Sequence, residues 1–257
     1  MPMENSLLVG LSRQVALSRE LEVISNNVAN LNTTGFKSDG ALFEQYLMPG
    51  VRDGQFSGSD SRPSFVRDRA TWLDLSQGPI QQTGSPLDIA IEGDGYLTVQ
   101  TPRGDRYTRN GALQINAAGE LVTNDGYRVL GESGPIIFEN SDRDITINPD
   151  GSIRVHEGLS AKTDSPRGKL LLVDFNRPQQ LRKDGSGTFV ANPDNQPRPT
   201  TNAHVVQGAI EKSNVRGVVE MTRLIEVTRS YTEISALMQQ QGEMRRGAID
   251  KLAEVPA

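Results

Sequence analysis

The chain has 257 residues, a net charge of -5, no cysteine and 35% hydrophobic residues. Without cysteine there is no disulfide framework and no thiolate site, and the absence of a basic run with interleaved aromatics argues against nucleic acid. No apolar stretch approaches membrane-spanning length, so no membrane insertion is expected.

The first element in chain order is an amphipathic helix over residues 7–31. Leu17, Leu21, Ile24, Val28 and Leu31 recur at steps of four and three, and Leu7, Leu8, Leu11 and Val15 extend an apolar face upstream. This is the spacing of a helix-packing seam. The N-terminus lacks a basic region followed by an apolar core, so the expectation is a chain without a cleavable signal. Residues 37–84 read as an extended connector; its polar Gly- and Ser-rich loop from Asp53 to Ser64, and a second polar stretch from Pro193 to Thr201, are the candidate boundaries between the helical stalk and the β domain.

Residues 85–200 read as an antiparallel β domain, a small sandwich or barrel. Strand-length segments are Leu87–Ile91, Tyr96–Thr101, Arg106–Arg109, Leu113–Asn116, Leu121–Thr123, Tyr127–Leu130, Ile136–Phe138, Ile145–Ile147, Ser152–Val155, Lys169–Phe175 and Thr188–Val190. Between them, Asn110-Gly111 and Asp125-Gly126 offer the positive φ angles that tight hairpin turns require.

From residue 201 a connector leads to a second amphipathic helix over 214–252. Its seam is Leu224, Val227, Tyr231, Ile234 and Met238, Ser213 or Asn214 can cap its start, and Arg216, Glu220, Arg223, Arg229 and Glu233 are spaced to pair along it. The predicted architecture is therefore α+β. Two terminal amphipathic helices (1–36 and 201–257 with their flanks) pair as a coiled-coil stalk and enclose a central antiparallel all-β domain.

Enzymatic and metal signatures are weak. His156 and His204 are the two histidines, far apart in sequence. Asp142-Arg143-Asp144 and Asn148-Pro149-Asp150-Gly151 lack EF-hand spacing, and Gly93-Asp94-Gly95 lacks a third glycine and a following helix. No cofactor, metal site or catalytic residue is expected. A second reading, a carbohydrate- or peptidoglycan-binding β module with helical termini, would need a concave aromatic face; Tyr96, Tyr107, Tyr127 and Phe138 are its candidates, with Tyr96 and Tyr107 the best platform. Acid–base work would fall to Asp88, Glu92 or Asp94.

Three segments carry a specific resemblance. Ser25-Asn26-Asn27-Val28-Ala29-Asn30-Leu31-Asn32-Thr33-Thr34-Gly35-Phe36-Lys37 resembles the signature of bacterial flagellar rod and hook proteins. Pro86 to Tyr96, followed by Tyr107-Thr108-Arg109-Asn110-Gly111, resembles the start of their central domain, and Ser213 to Tyr231 resembles their C-terminal helix. Within that family, Gly10 to Gln14, Leu42 to Pro49 and Met221 to Arg229 look most like proximal-rod members, with distal-rod members the near alternative.

The resemblance implies a non-enzymatic structural subunit of the basal-body rod in the periplasm. It would be exported by the flagellar type III apparatus, would assemble with copies of itself and other rod subunits, and would transmit torque. Its assembly interface would be the two seams, and its signature residues Asn26, Asn27, Asn30, Asn32, Thr33, Thr34, Gly35 and Phe36. Read physically, these residues end the first helix, with Gly35 supplying the left-handed residue after it. Their amides would also contact neighbouring subunits.

Overall fold

The computed structural model describes residues 3–47, 64–157, 164–185, 187–200 and 202–253, and the chain divides into two compact units. The first comprises residues 1–29, 39–72 and 216–257, and the second residues 30–38 and 73–215.

The first unit holds two helices, α1 (Met3–Ala29) and α2 (Gly217–Ala253), and a two-stranded sheet of Asp39–Leu47 and Ser64–Leu73. Both helices form where the apolar residues recur at helical spacing. Their bounds differ from those predicted. α1 stops at Ala29, because Asn30 begins a turn: its carbonyl accepts from Thr33 N (3.2 Å) and its side-chain Oδ1 from Thr33 Oγ1 (3.1 Å). Leu31 therefore lies past the helix. α2 starts at Gly217, and neither predicted cap serves it. Ser213 Oγ accepts from Val215 N at 3.3 Å, and the Asn214 side chain is engaged with residues 38, 74 and 76 of the second unit.

The second unit is the predicted antiparallel β domain, with wider limits. Its 10-stranded sheet runs, in spatial order, Arg182–Lys183, Thr188–Val190, Gly104–Thr108, Tyr96–Thr101, Arg128–Gly131, Leu121–Thr123 and Leu113–Ile115, with Gly134–Pro135, Leu172–Asp174 and Arg198–Pro199 off this path. Asp142–Ile147, Ser152–Glu157 and Asp164–Lys169 form a separate three-stranded sheet. Two further pairs close the unit: His204–Gln207 on Ile89–Glu92, and Ala209–Glu211 on Ile80–Gln82. The predicted boundary at 193–201 thus falls inside the unit. Asn195 is buried there, with its side chain bonded to Arg177 N (3.2 Å) and Arg177 O (2.8 Å), and Arg198–Pro199 is a paired strand. The other boundary, 53–64, lies almost wholly outside the described residues.

Burial explains the strand order. Leu97, Val99, Leu121, Val129, Ile153 and Leu170 centre one aliphatic core. Tyr96, Tyr107, Phe175 and Phe189 form a second, aromatic core, with ring centroids 4.8 to 5.8 Å apart in edge-to-face geometry. In Tyr96–Thr101, Tyr96 enters the aromatic core and Leu97 and Val99 the aliphatic one, on the opposite face of the strand. Gly126 sits at φ 82°, as an Asp-Gly turn requires. Gly111 does not have positive φ and serves another purpose: a side chain there would overlap the Ile89 carbonyl, whose residue exchanges Ile89 N to Gly111 O at 2.9 Å.

Candidate assembly interface

The two predicted seams meet within the first unit. Leu17 and Ile24 of α1 pack on Val227 of α2, flanked by half-buried Leu21, Val28, Leu224, Tyr231 and Ile234. The helices run antiparallel. Gln14 Nε2 lies 3.2 Å from both Tyr231 Oη and Ser235 Oγ, Arg223 binds Glu20 at 2.7 Å, and Asn27 Nδ2 reaches Glu220 at 3.4 Å. Met238 continues the seam by covering Gly10. Of the predicted pairs along α2, Arg229 and Glu233 meet at 3.0 Å, whereas Arg223 turns to α1 instead.

Much apolar surface remains after this pairing. Leu8, Leu11 and Val15 lie on the α1 face turned away from the seam and are exposed, Val15 at 59%. On α2, Val218, Met221 and Ile225 form a similar exposed row, Ile225 at 70%, and Leu237, Met244 and Ile249 are exposed further along. Hydrophobic residues at i, i+3 and i+7 on an outer face have no use in a lone helix pair.

The Asn-rich signature splits between the units. Asn27 is buried, and its side chain ties the Asp39 backbone at both ends, donating to Asp39 O (2.8 Å) and accepting from Asp39 N (2.9 Å). Asn32 and Thr33 are exposed, Thr34 is half-buried, and Asn26 is exposed but has an interaction of its own. Gly35 has φ 68°, yet it lies well past the end of α1 and so caps no helix. Its N–H donates to Glu211 O at 2.8 Å. Phe36 is buried, with the Lys183 ammonium 4.0 Å from its ring centroid.

Lys37, the last residue of the signature, is wholly buried and belongs to an ion cluster that sequence reasoning missed. Its Nζ donates to Glu211 Oε1 at 2.6 Å and to Ser76 O at 2.7 Å. Arg109 lies 3.3 Å from Glu211 Oε2 and donates to Ile91 O (3.2 Å) and Gly93 O (2.7 Å), with its guanidinium 5.1 Å from the Tyr96 ring centroid. Burial pulls Lys37 below the usual lysine range, against the raising effect of Glu211. No pattern in the sequence signals that these three residues meet.

Three family models match the chain: the flagella basal body rod protein model over residues 7–37, the flagellar hook protein FlgE/F/G D1 domain over 90–155, and the flagellar basal body rod FlgEFG protein C-terminal model over 206–250. Full-length relatives agree. The flagellar basal-body rod protein FlgF of Caulobacter vibrioides is 37% identical, over 98% of this chain and 100% of its own length. The FlgF protein of Mesorhizobium japonicum is 35% identical, over 97% of this chain and 98% of its own. The chain belongs to the flagellar basal-body rod protein family. The rod protein FlgG of Bacillus subtilis is less similar, 30% identical over 94% of this chain and 97% of its own length, so the chain is most like FlgF among these rod proteins.

The subunit is a structural, non-enzymatic part of the basal-body rod. The residues that would have served a glycan binder are placed accordingly. Tyr96 and Tyr107 are buried in the aromatic core, and desolvation pushes the Tyr96 phenol up to about 12. Phe138 lies in the aliphatic core, and Tyr127 packs against it. Asp142 grips Arg167 at 2.6 and 2.7 Å, and Asp150 accepts from Ser152 N and Oγ in a turn, so the two calcium-like runs are turn and ion-pair structure. His156 lies 3.1 Å from Asp164, remote from His204 in sequence. Among the described residues no cluster suits a metal ion, and no helix is long and apolar enough to cross a membrane.

Glu92 and Asp94 are exposed. Replacing both, as Glu92→Gln with Asp94→Asn, should shift stability by less than about 0.5 kcal/mol, as isolated surface changes do. Swimming should stay at wild-type speed, and neither protein should release sugar from peptidoglycan. Sugar release by the wild type that vanished in the double variant would contradict a purely structural subunit.

Proposed function

We propose that this subunit builds the proximal rod, packing its terminal helices as a coiled coil against copies of itself and other rod subunits after passage through the flagellar type III export apparatus. The observation that carries this reading is the second apolar row on each helix. Each helix uses one face on the other, and the rows Leu8–Leu11–Val15 and Val218–Met221–Ile225 remain exposed. At roughly 25 cal/mol per Å² of apolar surface, covering such a row against a neighbour supplies several kcal/mol per contact. The greater similarity to FlgF than to FlgG relatives favours the proximal position.

The test separates the two faces. Leu11→Asp or Ile225→Asp should leave the isolated protein as stable as wild type, within about 0.5 kcal/mol, because both side chains already face water. Each should nevertheless remove the subunit from purified basal bodies and abolish swimming. Wild-type incorporation of both variants would sink the proposal.

A further inference from the structure

We propose that Glu211 is an ionic latch: its carboxylate, delivered by the last strand of the β unit, neutralises two cations buried by earlier segments and so makes closure of the chain's entry into that unit depend on its exit. The inference is independent of what the subunit assembles with.

The charge count is asymmetric. Lys37 is 1% exposed, Arg109 4% and Glu211 0%, so two cations and one anion share a site almost wholly shielded from solvent. Arg109 leans on carbonyls of Ile91 and Gly93, and Lys37 on the carbonyl of Ser76, all from residues that precede Glu211 by more than a hundred positions in the sequence. Carbonyl dipoles lessen the cost of a buried cation but do not cancel it. Among the described residues, Glu211 alone offers a full negative charge to both at contact distance, Oε1 to Lys37 and Oε2 to Arg109, and Oε1 also accepts from Gly78 N at 2.8 Å.

Asp74 acts on Lys37 only through space, and raises its proton affinity less than Glu211 does. The segment around Glu211 carries its neighbours with it. Gly35 N donates to Glu211 O (2.8 Å), Lys212 N to Pro79 O (2.9 Å), and Ser38 N to Asn214 Oδ1 (2.8 Å), while Asn214 Nδ2 donates to Asp74 O (2.9 Å). Segments 35–38 and 74–79 are therefore held by residues 211–214 through both charge and backbone.

If Glu211 were an ordinary member of a balanced network, removing any partner would cost about the same. A latch predicts otherwise. Removing Glu211 strands two cations, whereas removing Lys37 leaves a balanced Arg109–Glu211 pair, and Ser76 O keeps a donor in Asn214 Nδ2 at 3.2 Å.

The experiment is amide hydrogen exchange on the full-length chain. In Glu211→Gln, exchange at residues 35–38, 74–79 and 91–93 should speed up by about 100-fold or more, the scale expected when a buried charge loses its partner, while Leu121–Thr123 and Ser152–Glu157 stay protected. Lys37→Met should speed the same peptides by less than about 10-fold. Equal effects of the two substitutions, or no change in Glu211→Gln, would overturn the latch. Should Glu211→Gln fail to fold at all, adding Lys37→Met removes one stranded cation and is expected to restore a protected β unit. A double variant no better than Glu211→Gln would overturn it as well.

Discussion

Ile24→Asp should separate the two helices while leaving the β unit folded. Ile24 is 1% exposed and packs with Leu17 on Val227, so the substitution removes one of the deepest apolar contacts of the pair and puts a carboxylate in its place. Losing the buried side chain costs about 2–5 kcal/mol, and burying the charge adds several more unless the helices part. Once parted, each helix loses the packing of its amphipathic face, which supplies most of a helix's stability in a protein. The expected result is a large loss of helical circular dichroism, rapid protease trimming of both termini, unchanged exchange protection in strand Tyr96–Thr101, and a non-swimming cell whose basal bodies lack the subunit. Leu21→Asp should do the same more weakly, because Leu21 is only half-buried at the edge of the seam and can turn a carboxylate to water. Helical content and swimming that survive Ile24→Asp would show that the seam is not what holds α1 to α2.

The helix pair was legible because its information is local: a run of residues at steps of three and four states which face is buried before any partner is known. The same holds for strands between Gly-bearing turns, and Tyr96–Thr101, Leu121–Thr123 and Thr188–Val190 lie where the pattern placed them. What escaped was non-local. Ile80–Gln82, His204–Gln207 and Ala209–Glu211 are short, carry no hairpin turn of the expected kind, and pair with strands more than a hundred positions away. The β unit is consequently wider than 85–200, taking in residues 30–38 and running to 215. Asp39–Leu47 reads as connector in the sequence because its strand partner, Ser64–Leu73, lies beyond the polar loop. The ion cluster was the least legible feature. In the sequence Lys37 is the tail of a motif, and nothing beside it distinguishes it from a solvated lysine until the fold brings Glu211 to it.

The signature's glycine shows how one residue can answer two demands that the sequence displays as one. A positive φ at Gly35 favours asparagine over a β-branched residue, and on that ground alone Gly35→Asn should be tolerated and Gly35→Val not. The structure adds a second demand. At φ 68° a Cβ on residue 35 would point into the Arg109–Asn110 peptide, with Asn110 N only 2.5 Å away, and backbone cannot step aside as a flexible side chain can. Any side chain must push that peptide away, and with it Arg109 from Glu211 and the Gly93 carbonyl. Left-handed strain costs an ordinary residue about 1–2 kcal/mol, and overpacking about 1–3 more. Gly35→Ala should therefore destabilise the β unit by roughly 2–5 kcal/mol, and Gly35→Asn by nearly as much, since asparagine relieves the φ strain but still carries the offending Cβ. Gly35→Val should be the worst. Urea denaturation of the three variants, with protection of Tyr96–Thr101 as a second readout, decides the matter. A Gly35→Asn protein as stable as wild type would mean that the peptide at Arg109–Asn110 yields easily and that φ alone selects glycine here.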